Sequence, residues 1–296
     1  MQQNAVSLGA NQLNSSNSNK EAPLHLLAQS EALAERIFRF VAPLAVPDRS
    51  GDYPEAAGSL VLLKHLGRTF LVTAAHNLDN NPGCTFYLGT ATEWIEVPSG
   101  FFATNEKQTD GKSNRFDYAV LEADANFVAQ LDGLDFLSGD EVAADMTSDL
   151  SGVPCVLAGY PDYRLRALRG YRTTSEKLMY RGSVATRACH IDAKLKPHEH
   201  VAVSHNFRRV VGPKGLRKPP DLSGTSGGGI FILPSVQNSS SELEVRLVGI
   251  TSDKLPAKHL VYGARINVIL RSIELKFINR DGHRTPVATD LAAKVL

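Results

Sequence analysis

From residue 58 onward the chain is cut into short β-prone runs by Gly, Pro, Asn and Asp, and this punctuation restricts the possible fold more than any other feature of the 296 residues. Thr69–Thr73, Thr85–Leu88, Trp94–Val97, Tyr118–Leu121 and His200–Ser204 are dominated by β-branched, aromatic and aliphatic residues and are too short for stable helices. Such runs bury their surface only by pairing with one another, so the spacing predicts an all-β sandwich or barrel. The pattern lapses between Leu131-Asp132-Gly133-Leu134 and the acidic stretch reaching Asp149, which predicts a linker between two lobes.

The start of the chain reads differently. Residues 1–20 are rich in Asn, Gln and Ser and lack the apolar content of a core, so a disordered tail is expected. From Glu21 to Val41, Leu24, Leu27, Ala28, Leu33, Ile37 and Phe38 recur near helical spacing, with Pro43 and Pro47 as stop signals. A helical segment is therefore expected over residues 21–50, either packed on the β body or serving as a docking arm.

Gly224-Thr225-Ser226-Gly227-Gly228 has the composition of a loop built around a nucleophile. Glycines let the backbone fold tightly and approach a reacting atom closely. The amides of Gly224 and Ser226 would be the natural donors to an oxyanion in acyl transfer. A serine hydroxyl needs a base, and the base needs an orienting group. The apolar run Phe70-Leu71-Val72-Thr73 ends in Ala74-Ala75-His76, where small residues leave the imidazole room beside a neighbouring lobe. In Arg115-Phe116-Asp117-Tyr118-Ala119-Val120-Leu121 an acid opens a β-prone run, where a buried carboxylate could fix the imidazole tautomer.

These segments follow the order His, Asp, Ser, with separations of 41 and 109 residues. Subtilisin-like and α/β-hydrolase chains use other orders. Together the three segments resemble the trypsin/chymotrypsin-like serine protease family, including its bacterial members. Gly58 to Leu63, the Gly159-Tyr160-Pro161 strand, Leu247 to Ser252, and Tyr262 to Ile273 resemble further strands and the closing helix of that family. The similarity spans roughly residues 56 to 276.

The resemblance implies two six-stranded Greek-key barrels, over 56–135 and 150–276, with the active site in the cleft between them and a C-terminal helix. Residues 277–296 would form a tail. His76, Asp117 and Ser226 become the catalytic triad, Gly224 and Ser226 the oxyanion donors, and the product a hydrolysed peptide bond. The strand after the nucleophile would bind substrate through Thr251 and Ser252, with Ser252 the better match for a serine that bonds the triad carboxylate. Aligning back from Ser226 puts Pro220 at the usual pocket base and Asp221 one place later. Asp221 could favour a basic substrate side chain, or it could be a turn residue. Thr225 replaces the aspartate that receives a newly cut N-terminus in secreted members, and Asn77 replaces their cysteine after the histidine.

Three cysteines, Cys84, Cys155 and Cys189, suggest neither a disulfide framework nor a metal site. Cys189, His190, His198 and His200 match no familiar zinc spacing, so neither metal nor cofactor is expected. No apolar run reaches membrane-spanning length and the N-terminus lacks a secretory pattern, which favours a cytoplasmic site. Charge is uneven: residues 1–159 hold 9 basic and 20 acidic side chains, while 160–220 hold 14 basic and 4 acidic. That asymmetry would suit complementary lobes, or an acidic or nucleic-acid partner at 160–220. The competing readings are thus a serine endopeptidase acting on protein or peptide, a catalytically silent peptide-binding relative, and a protease regulated through the basic region.

Overall fold

The structure is a computed structural model that describes residues 30–48, 54–104, 116–144, 149–162, 165–168, 172–207, 210–212, 215–217, 219–233 and 244–278. The polar tail over 1–20 and most of the tail over 277–296 lie outside the described residues. So do Arg164, Arg169, Arg208, Arg209, Lys214 and Lys218 of the basic 160–220 stretch.

A helix over residues 30–37 (α1) turns directly into β1 (Val41–Pro47). Next come β2 (Pro54–His65), β3 (Arg68–Thr73), the short helix α2 (Ala75–Asp79), β4 (Tyr87–Gly89), β5 (Trp94–Glu96), β6 (Phe102–Ala103), β7 (Ala119–Ala123) and α3 (Ala125–Val128). The seven strands form one antiparallel sheet in the order β5-β4-β1-β2-β3-β7-β6. Beyond the linker stand β8 (Pro154–Gly159), the hairpin of β9 (Leu165–Leu168) and β10 (Arg172–Ser175), β11 (Leu178–Ser183), α4 (Arg187–Asp192) and β12 (His200–Ser204). The chain continues through the hairpin of β13 (Val210–Gly212) and β14 (Gly215–Arg217) to β15 (Gly229–Ile232), β16 (Arg246–Leu255), β17 (Leu260–Arg265) and α5 (Ile266–Ile273). The second sheet runs β11-β8-β15-β16-β17-β12, and an antiparallel bridge between Val184 and Val203 joins its two outer strands.

The strands are apolar on both faces, and the packing shows why. Side chains alternate across a strand. Leu60, Leu62 and Leu71 point into the first lobe with Leu44, Leu88 and Ile95, whereas Val61, Leu63, Phe70 and Val72 point outward into a second core. In lobe two, Leu157, Ile230, Ile232 and Val248 fill the interior, while Val156, Phe231, Leu247 and Ile250 face the other way. The outward-facing residues of both sheets meet in one inter-lobe core, which α1 seals with Leu33 and Ile37 and α5 seals with Ile266, Ile269, Leu270 and Ile273. Those α5 positions follow helical i, i+3, i+4, i+7 spacing. Each fully buried side chain of this size, such as Phe70 or Phe231, contributes about 1.5–3 kcal/mol.

Two expectations are modified here. Of the helical segment expected over 21–50, residues 21–29 lie outside the described residues and the described helix ends at residue 37; Val41–Pro47 is a central strand of lobe one, which therefore begins before residue 56. Burial of Val41, Ala42, Leu44, Ala45 and Val46 holds this segment extended. Pro43 stands opposite Ser59, whose N–H donates to the Ser226 carbonyl and whose carbonyl accepts from Thr73 Oγ1, so this pair does without a proline N–H. The first sheet also has seven strands instead of six, three of them only 3, 3 and 2 residues long.

Candidate active site

Pairing of β3 with β7 creates the first half of the site. Thr73 lies opposite Ala119, so the residues just beyond β3 face those just before β7. Ala74 and Ala75, both fully buried, turn the chain from β3 into α2 and set His76 in the first helical turn. The buried carboxylate of Asp117 takes two bonds from that residue: Oδ1 accepts the His76 main-chain N–H at 2.9 Å, and Oδ2 lies 2.5 Å from Nδ1. One acid thus satisfies an otherwise orphaned helix N–H and orients the ring. With an ionised carboxylate as acceptor, Nδ1 carries the proton and Nε2 keeps the lone pair. Phe116, beside the acid, stacks on His200 with ring centroids 5.3 Å apart, linking this edge of lobe one to β12.

The second half is the loop from Asp221 to Gly229. Gly224 and Gly227 have φ of +85° and +86°, which side-chain-bearing residues rarely adopt. Space excludes a side chain as well: a Cβ on Gly227 would sit 2.0 Å from the Ser59 carbonyl oxygen, and one on Gly224 2.3 Å from the Asp162 amide nitrogen. Two peptide planes of this loop are held from their carbonyl ends. Asp162 N–H donates to the Ser223 carbonyl at 3.0 Å and Gly228 N–H to the Thr225 carbonyl at 2.9 Å. These are the planes that carry the Gly224 and Ser226 N–H groups, which have no hydrogen-bond partner among the described residues. Two preset donors beside a hydroxyl can stabilise a developing oxyanion. Thr225 is buried and its hydroxyl donates to the Leu222 carbonyl at 2.7 Å, locking the loop from inside.

The halves meet through a hydrogen-bonded circuit. Ser226 Oγ donates to the Ser252 carbonyl at 3.0 Å, and Ser252 Oγ donates to the Asp117 main-chain carbonyl at 3.0 Å. On the opposite side, Asn77 Nδ2 donates to the Ser226 carbonyl at 3.0 Å. His76, Asp117 and Ser226 are thereby brought to one inter-lobe edge. Ser252 touches the main chain of Asp117, where a bond to the carboxylate was expected.

Thr251 uses its backbone on the loop: its carbonyl accepts from Gly227 N–H at 2.7 Å and its N–H donates to the Gly228 carbonyl at 2.8 Å. Asp221 is exposed, and its Oδ1 accepts from Ser223 N–H at 3.1 Å, Ser223 Oγ at 3.0 Å and Lys254 Nζ at 3.4 Å. The Ser223 amide bond, helped by Lys254, holds its carboxyl below the usual carboxylate range. Here the acid closes a turn and pairs with a lysine. Pro220 precedes this turn and is half-buried.

Sequence reasoning missed Ser59, Thr73 and Tyr160. Ser59 N–H donates to the Ser226 carbonyl at 2.8 Å, and its hydroxyl donates to the Gly224 carbonyl at 3.1 Å while accepting from Tyr160 N–H at 2.8 Å. Thr73 Oγ1 donates to the Ser59 carbonyl at 2.7 Å. A serine and a threonine within apolar strands are the only local hint of these roles. Among the described residues no group of three or more His, Cys, Asp or Glu is arranged to hold a metal, and no helix is long and apolar enough to cross a membrane.

This architecture is the chymotrypsin-like two-barrel fold. No family model and no curated protein matches the chain. Among solved structures it is similar to the granzyme GrC, at 13% identity and TM-score 0.50, over 80% of this chain and 93% of that one. Neuropsin, a serine protease expressed in mouse brain, is similar at 14% identity and TM-score 0.50, over 80% and 93%. A mutant of human heparin binding protein is similar at 15% identity and TM-score 0.52, over 86% and 96%.

Proposed function

We propose that the protein is a trypsin-like serine endopeptidase that hydrolyses peptide bonds of protein substrates through His76, Asp117 and Ser226 and an acyl-enzyme intermediate. The observation that carries this reading is the closed circuit joining an oriented imidazole, a buried carboxylate and a serine flanked by two preset amides.

The chemistry follows from the groups. A carbonyl cannot accept the serine proton as a base, so the Ser226 hydroxyl turns from Ser252 toward His76 Nε2 when a substrate carbonyl is positioned. His76 takes the proton as Oγ attacks, and Asp117 stabilises the resulting imidazolium. The Gly224 and Ser226 amides receive the oxyanion. His76 then protonates the leaving amine, and water repeats the sequence on the acyl-enzyme.

A fluorophosphonate probe tests the reading directly. The wild-type chain is expected to be labelled at Ser226 and to cleave a casein or mixed-peptide substrate. Ser226→Ala should lose labelling and turnover, the latter by up to about 10⁶-fold, with an unchanged melting temperature. A wild-type chain that neither labels nor cleaves, or a Ser226→Ala variant as active as wild type, sinks the proposal.

A further inference from the structure

We infer that Asn77 is a positioning residue that sets the register between base and nucleophile by clamping the Ser226 carbonyl from lobe one. The inference rests on the endopeptidase reading and deepens it. Asn77 follows His76 in the same helical turn, so adjacent side chains of α2 address the two sides of the site. His76 reaches the Asp117 carboxylate, while Asn77 reaches the residue that carries the nucleophile.

The side chain is buried, and both of its N–H protons are used: Nδ2 donates to Thr73 Oγ1 at 3.0 Å and to the Ser226 carbonyl at 3.0 Å. The direction of these bonds is forced. Thr73 has one hydroxyl proton and donates it to the Ser59 carbonyl, so it can only accept from Asn77. A main-chain carbonyl also only accepts. Two acceptors therefore converge on one group, and an NH₂ satisfies both. Aspartate, with the same shape, would set a carboxylate against two oxygens, and leucine would leave both unpaired.

The backbone of lobe one is shaped to admit this amide. Gly58 has φ of +151°, and a Cβ there would lie 2.2 Å from Asn77 Nδ2. The amide occupies the volume that a side chain at position 58 would fill. The Ser226 carbonyl is thus held twice from lobe one, by Asn77 and by the Ser59 N–H at 2.8 Å. Losing one of the two grips lets the nucleophile drift relative to His76 without changing the surface that meets substrate.

Asn77→Leu, Asn77→Asp and Gly58→Ala approach the clamp from different directions, the last by displacing the amide from beneath. Each is expected to lower kcat and the fluorophosphonate labelling rate about tenfold, the size of one lost hydrogen bond, with KM held within about twofold. The Gly58→Ala/Asn77→Leu double variant should be no slower than the worse single variant, because both remove the same contact. Amide exchange at Ser59 and Gly227 should quicken in all of them. Wild-type kcat in Asn77→Leu or Asn77→Asp, or effects that multiply in the double variant, would overturn the inference. Where the Asn77 variants do not fold, Gly58→Ala alone decides. An unreactive wild-type chain would count against the hydrolytic reading, yet unchanged exchange at Ser59 and Gly227 in Asn77→Leu would still overturn the clamp.

Discussion

Replacing Gly227 by alanine adds one methyl group at the tightest point between the nucleophile loop and lobe one. The residue sits at φ +86°, and the new Cβ would meet the Ser59 carbonyl oxygen at 2.0 Å and Thr73 Oγ1 at 2.3 Å. The left-handed backbone alone costs alanine about 1–2 kcal/mol. Neither neighbour can retreat freely, because Ser59 is in β2 and Thr73 closes β3. The loop must therefore lift. It would lose the Ser59 N–H bond to the Ser226 carbonyl and the Gly227 N–H bond to Thr251, of 2.8 and 2.7 Å. At about 0.5–1.5 kcal/mol each, these bring the total to about 2–5 kcal/mol. For a chain of this size that lowers Tm by on the order of 3–8 °C. Gly83→Ala supplies the control, since Gly83 has φ +75° and an added methyl there would meet nothing within 4 Å, leaving only the backbone cost. Calorimetry on the two variants, beside fluorophosphonate labelling, separates strain from packing. Equal melting of both variants, with Gly227→Ala labelled at the wild-type rate, would refute the claim that lobe one shapes the loop.

Two further outcomes concern stability. Tyr118 OH and Ser272 Oγ lie 2.6 Å apart, and burial pushes the Tyr118 phenol up. Ser272→Ala should therefore cost about 1–3 kcal/mol in urea unfolding, because a buried hydroxyl loses its partner, and Tyr118→Phe/Ser272→Ala should recover part of it. His205 is buried between Tyr180 and Phe207, at centroid distances of 4.4 and 4.3 Å, and burial, aided by His259 and Lys254, lowers its pKa below the usual 6.5. The unfolded chain then takes up a proton that the folded chain resists, so stability from this site is complete above about pH 6.5 and falls as the medium is acidified. His205→Phe should flatten the decline in urea midpoint between pH 7 and pH 5. An unchanged slope would show that His205 is not its source.

The sequence exposed those parts of the molecule that depend on neighbours along the chain. His76 was legible because two small residues end an apolar strand, and Ser226 because glycines cluster around it. Asp117 was legible because an acid stands just ahead of the β-prone run that becomes β7. Helix α5 was legible from its spacing. Parts that depend on distant partners were not. Val41–Pro47 carries two prolines that signal a helix stop, yet pairing with β2 and β4 makes it a central strand. Asp221 reads equally as a pocket acid or a turn residue until Lys254, 33 positions away, is seen to pair with it. Asn77 and Ser226 are separated by 149 positions, and no local pattern announces a bond between them.

Several anchors of the loop around Ser226 belong to the other lobe: Ser59, Thr73 and Asn77 all precede residue 80, whereas the loop they help to hold follows residue 220. A chain severed in the linker near residue 140 would yield an N-terminal fragment without a serine nucleophile and a C-terminal fragment without the struts that shape it. On the endopeptidase reading, hydrolytic competence would arise during synthesis only once lobe two is made and docks on lobe one. On the same reading, mixing the two fragments would be a complementation test, with recovered probe labelling reporting their reunion.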